Sequence, residues 1–101
     1  MILPKEIELF GKVFTVTEKK KIMYEGDECE GLFLPDTCEI YIKKDLNREN
    51  KVKTFIHELG HAMIWRTGLK QSNLSEELEE IIVENYSTFL WELFDLRLNR
   101  K

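Results

Sequence analysis

At Arg48 the spacing of apolar residues along this chain changes period, and the change narrows the folds open to it. Upstream, β-branched and aromatic residues alternate with polar ones in short runs broken by turn residues, the pattern of half-buried strands. Downstream, Val52, Phe55, Ile56, Leu59, Met63 and Ile64 recur every three or four residues, the pattern of a helix with one broad apolar side. Strands followed by helices, rather than alternating with them, segregate into an α+β architecture. A chain of 101 residues holds one core. The expectation is a single domain over 1–101, with a small, mostly antiparallel sheet from its N-terminal half packed on a first helix and a long C-terminal helix.

Residues 7–10, 12–17 and 21–24 are the first expected strands, with Gly11 separating the first two and Glu25, Gly26 and Asp27 forming a polar break. A hairpin follows. Gly31–Leu34 and 38–43 flank Pro35, Asp36 and Thr37, where proline presets one turn dihedral and aspartate bonds nearby amides. In its second strand Cys38, Ile40 and Ile42 share one face, which is expected to be buried. Asn47 is placed to cap the first helix and Gly68 to stop it. After a polar loop over 70–73, Ser75 followed by Glu76 and Glu77 marks a second helix start, because acids favour the positive end of the helix dipole. That helix is expected to run to about Leu98. Its apolar residues Leu78, Ile82, Tyr86, Phe89, Leu90 and Leu93 cover over half the wheel, which predicts packing on more than one neighbour.

The first helix contains His57-Glu58-Leu59-Gly60-His61, an H-E-x-x-H run. Histidines four apart lie one turn apart on one face, so both rings reach a single cation without bending the backbone. Glu58, one residue round from that pair, is placed to take a proton from an attacking water rather than to bind the ion. Zinc suits two neutral imidazoles, and three protein ligands would leave a position open for chemistry. The chain has only these two histidines, so a carboxylate must complete the ligand set. The second helix offers Glu76, Glu77, Glu79, Glu80 and Glu84.

On Thr54-x-x-His57-Glu58-Leu59-Gly60-His61-Ala62, the strands before it and the acidic helix after it, the chain resembles the ImmA/IrrE-like metallopeptidases, particularly their short phage-type members. The resemblance covers most of the chain and includes a strand at Ile40-Tyr41-Ile42. It implies a zincin-like fold and a gluzincin-type set of two histidines and one glutamate. The third ligand it implies lies on the following helix, where Val83-Glu84-Asn85-Tyr86-Ser87 matches a V-E-x-L-A neighbourhood. Glu84 is therefore the expected third ligand. Glu80, one turn earlier on nearly the same face, is the alternate, and whichever acid is not a ligand is expected to accept a ring N–H from a ligand histidine.

The function so implied is a zinc-dependent peptidase that cuts a peptide bond in a protein substrate, such as a phage or mobile-element regulator, in a bacterial cytoplasm. Glu39–Lys43 is the expected edge strand to pair with an extended substrate. The alternative is a metal-binding module that regulates by docking to a partner without catalysis. A net charge of -4 speaks against a nucleic-acid partner, and Lys43, Lys44, Lys51 and Lys53 read as a solvated rim. No apolar run is long enough for a membrane span. Cys29 and Cys38 lack metal-site spacing and read as structural thiols. Oligomeric state is not legible at this level.

Overall fold

The computed structural model describes residues 3–68 and 74–99, with side chains in the second helix as far as Leu93. Six strands precede two helices: β1 (Glu6–Leu9), β2 (Lys12–Lys19), β3 (Ile22–Tyr24), β4 (Asp27–Cys29), β5 (Gly31–Leu34), β6 (Glu39–Lys43), α1 (Arg48–Thr67) and α2 (Glu76–Asn99). The expected loop over 70–73 lies outside the described residues.

Four strands form one sheet in the order β1-β2-β6-β5. Its β1/β2 and β5/β6 ladders are antiparallel, whereas β2 and β6 run parallel, with Val16 opposite Ile40. The sheet is thus mostly antiparallel, within an α+β fold. Two expectations need correction. The polar break at Glu25 to Asp27 is a tight turn leading into β4: Tyr24 faces Asp27, and Glu25 and Gly26 both adopt positive φ (52° and 87°). That two-residue geometry matches the right-handed strand twist, and it closes a separate β3–β4 hairpin. The second correction concerns β6. Hydrogen-bonded on both sides by β2 and β5, it is no edge strand; β5 is the terminal strand next to it.

One face of the sheet is covered by α1. Ile40 and Ile42, alternate residues of β6, are fully buried with Leu3, Val16 and Phe55, and Ile7, Phe33, Leu46 and Leu59 pack around them. Full burial of each such aliphatic side chain stabilises the fold by roughly 1.5–3 kcal/mol. Phe14, Phe33 and Trp65 form a second cluster, with ring centroids 5.9–6.1 Å apart, that joins β2, β5 and the last turns of α1. Arg66 adds a tie by donating to the Phe10 carbonyl at 2.9 Å.

The helix ends follow their sequence signals. The Asn47 side chain accepts the Asn50 amide at 2.8 Å, and Gly68 closes α1 in the left-handed region at φ 80°. Ser75 accepts the Leu78 amide at 3.1 Å at the start of α2. The packing of α2 differs from expectation. Its principal contact is α1 alone, so much of its apolar surface is uncovered. Among the described residues no helix is long and apolar enough to cross a membrane.

Candidate metal centre

The helical repeat of α1 brings His57 and His61 side by side, ring centroids 5.0 Å apart and ring planes at 69°. α2 crosses α1 where Gly60 meets Val83. A Cβ at Gly60 would lie only 3.0 Å from a Val83 methyl, so the absence of a side chain there sets how closely the helices approach. The close approach delivers the acids of α2 to the histidines.

Glu80 occupies the middle of this arrangement. One of its carboxylate oxygens is 3.0 Å from His61 Nε2 and the other 3.7 Å from His57 Nε2. The outer nitrogens meet different acids: His61 Nδ1 is 2.6 Å from Glu79, and His57 Nδ1 is 3.3 Å from Glu84. Each imidazole therefore has a carboxylate at both nitrogens, with Glu80 common to the two. The sequence-based choice of third ligand, Glu84, does not face the Nε2 atoms; the alternate, Glu80, does. Glu84 stands where an acceptor for a ring N–H was expected. Glu79, one of the five acids that the second helix offers as a third ligand, does the same for His61.

The donor set fits a divalent cation. One ligand atom each from His57, His61 and Glu80 lies within 4.8 Å of the others. Atoms about 2.0–2.1 Å from a shared tetrahedral ion sit roughly 3.3 Å apart, and the nearest Glu80 oxygen to each Nε2, a different oxygen for each ring, lies at 3.0 and 3.7 Å. Burial, reinforced by the neighbouring His61, lowers the His57 pKa against the opposing pull of Glu80 and Glu84. A lowered pKa favours the neutral ring that a metal requires. An Nδ1–H of His61 donated to Glu79 would leave the Nε2 lone pair aimed at Glu80.

Glu58 points elsewhere. It is the buried charged side chain among the described residues, at 8 % exposure, and burial, aided by the Glu80 charge and opposed by His61, pushes its carboxyl up to about 7. Against it lies Gly31 of β5, where a Cβ would come within 3.0 Å of the Glu58 carboxylate and 2.6 Å of the Thr54 methyl. Only glycine lets the terminal strand press so close to this part of α1.

Glu58, His57, His61 and Glu80 open into a cleft of about 550 Å³ between β5 and the helix pair. Tyr24, Leu32, Phe33, Pro35 and Trp65 supply its apolar wall. Trp65 extends the face that begins with His57 and His61 at the same four-residue interval, a signal present in the sequence; nothing there marks Gly31. Tyr41 bonds Glu39 and Arg66 bonds the Phe10 carbonyl, and neither lines the cleft. No protein-family model, curated protein or solved structure matches the chain.

Proposed function

We propose that the protein is a minimal zincin-like, zinc-dependent peptidase of the ImmA/IrrE-like kind that hydrolyses a peptide bond within a protein substrate. The observation that carries this reading is the convergence of His57, His61 and Glu80 at the mouth of a cleft, beside a buried acid that takes no part in that convergence. A closed structural site would have no use for such an acid. In this reading His57, His61 and Glu80 hold the ion, while Glu79 and Glu84 orient the two rings through their Nδ1 atoms.

A divalent ion there supplies Lewis acidity, making water more acidic and favouring negative charge on a carbonyl oxygen. The chain's own residues do the rest. Glu58, with a proton affinity near neutrality, accepts the proton of the attacking water and passes it to the leaving amine as the C–N bond breaks and the water oxygen joins the carbonyl carbon. β5 offers an extended backbone along the cleft, and a substrate strand laid beside Gly31–Leu34 would place its side chains against Phe33 and Trp65. By the same family likeness, the substrate is a regulator of a phage or mobile element, met in a bacterial cytoplasm.

The deciding experiment compares wild type with Glu58→Gln, each loaded with zinc, on an unfolded test protein and on any partner regulator. The expected result is one zinc per chain in both proteins and cleavage by wild type alone. Full regulatory effect from Glu58→Gln without cleavage would replace the peptidase by a docking module.

A further inference from the structure

We infer that Tyr24, Phe33 and Trp65 form the specificity subsite of the peptidase proposed above, a reading on which this one rests. The subsite takes one large apolar side chain, aromatic or leucine-like, of an extended substrate within two residues of the bond cut. All three residues line the cleft that holds His57, Glu58 and His61. They come from three elements: Phe33 from β5, Trp65 from α1 one turn past His61, and Tyr24 from the end of β3 in the separate β3–β4 hairpin. Trp65 and Tyr24 remain 38 % and 49 % exposed, although aromatic rings gain much from burial. Trp65 meets Phe14 and Phe33 edge-on, so the fold uses part of the ring and leaves the rest at the cleft. Of the six strand residues in the hairpin only Ile22 is buried. The turn at Glu25 and Gly26 fixes Tyr24 opposite Asp27, at the cleft rather than in the core.

The backbone of β5 shows how a substrate reaches the subsite. The Lys43 amide donates to the Glu30 carbonyl at 2.8 Å, so in the antiparallel β5–β6 ladder Glu30, Leu32 and Leu34 turn their polar groups toward β6. Gly31 and Phe33 therefore turn theirs to the outer edge, which pairs with no strand among the described residues. The same two residues face α1: a Cβ at Gly31 would meet Thr54 and Glu58, and the Phe33 ring meets Trp65. Directly opposed residues of an antiparallel pair share a face. A substrate strand bonded antiparallel to Gly31 and Phe33 thus turns two side chains toward α1, one beside Glu58 and the other, two residues away, onto Phe33 and Trp65. The residue between them points to the other face. That spacing ties the apolar side chain to the reacting bond. Glu76, Glu79 and Glu80 of α2 also line the cleft, and their charge opposes an acidic side chain there.

The test uses the full chain loaded with zinc. Glu58→Gln combined with Trp91→Phe spares the peptide and leaves Trp65, one of two tryptophans, as the sole fluorophore of its kind. Capped peptides of one sequence, with Phe, Leu, Ala or Glu at a central position, are titrated by Trp65 emission. Burying a large apolar side chain corresponds to about 10–100-fold in affinity, so the Phe and Leu peptides should shift the emission and bind at least about 10-fold tighter than Ala or Glu. Tyr24→Ala, at an exposed position, should cut that preference about 3-fold or more at unchanged zinc content, and Tyr24→Phe should restore it. In parallel, wild type should cut an unfolded test protein with large apolar residues enriched within two positions of the cleaved bond. Selective binding without any cleavage would uphold the subsite and remove the peptidase. Cleavage with affinities indifferent to the central residue would do the opposite. Absence of binding up to about 5 mM, or a preference that leaves Trp65 emission unmoved or survives Tyr24→Ala, would also overturn the subsite.

Discussion

Glu58→Gln removes a charge from a nearly solvent-free position with little change of volume, and its effect on folding can be worked out separately from any effect on cleavage. Burial holds the Glu58 carboxyl at about 7 against an ordinary 4.5, a difference that corresponds to about 3 kcal/mol. The sign follows from proton counting. Between pH 4.5 and 7 the folded chain keeps a proton that the unfolded chain has released, so folding is progressively disfavoured as pH rises through that window. Below pH 4.5 both states are protonated and the penalty is absent; above about pH 7 it is complete. The side chain is 8 % exposed, so solvent screening takes little away. The neutral amide cannot show this dependence. His57, whose pKa is lowered, contributes a dependence of opposite sign, with a cost at low pH that disappears as pH rises through 6.5, but it does so in both proteins and largely cancels in the difference. Urea denaturation of metal-free wild type and Glu58→Gln between pH 4.5 and 8.5 measures that difference. The variant is expected to gain about 3 kcal/mol relative to wild type across the range. Parallel curves would mean that Glu58 ionises in the fold as it does in water, and the argument from its burial would fail.

Three further outcomes follow from the same geometry. In zinc titrations Glu80→Ala should weaken binding by more than about 100-fold and Glu84→Ala by about 10-fold, as loss of a ligand differs from loss of a ring-orienting acceptor; the reverse order would return the ligand role to Glu84. Gly31→Ala forces a methyl to within 2.6 Å of Thr54 and 3.0 Å of the Glu58 carboxylate, and should cost about 1–3 kcal/mol in chemical denaturation, with reduced cleavage; wild-type stability would show that β5 moves aside freely. Trp65→Ala removes the edge-on partner of Phe14 and Phe33 and part of the cleft wall, and should cost about 1.5–3 kcal/mol by the same measurement. A loss below about 0.5 kcal/mol would show that the cluster packs without it.

Local signals in the sequence carry the elements well. The change of period at Arg48, the cap at Asn47, the stop at Gly68 and the start at Ser75 all act within one helical turn, and each appears where its chemistry puts it. The pairing of strands is a different matter. The pattern of Ile40 and Ile42 identifies a buried face, but whether β6 is central or terminal depends on β2 crossing over to lie parallel to it, a contact between residues more than twenty positions apart. The Glu25-Gly26 turn was readable as a hairpin signal from its glycine, yet the charged residues of β4 lack the alternation that marks a strand. The apolar residues of α2 imply a covered surface, and the chain itself supplies cover for one side only.

The choice between Glu80 and Glu84 shows how a site can be legible in its parts and not in its assembly. On α2 the two acids are a turn apart, and helix periodicity makes them near equivalents. What separates them is the crossing at Gly60 and Val83, which lies between the histidines on one helix and between the acids on the other. With the helices antiparallel, His57 falls opposite Glu84 and His61 opposite Glu79, so those acids meet the outer nitrogens, and the residue between the two pairings reaches both Nε2 atoms. Gly60 therefore does more than pack. By admitting Val83 to within a few ångströms of the backbone beside His61, it sets the longitudinal register that makes Glu80 the shared carboxylate, and a chain with the same motif but a bulkier residue there would have to present its acids from farther away.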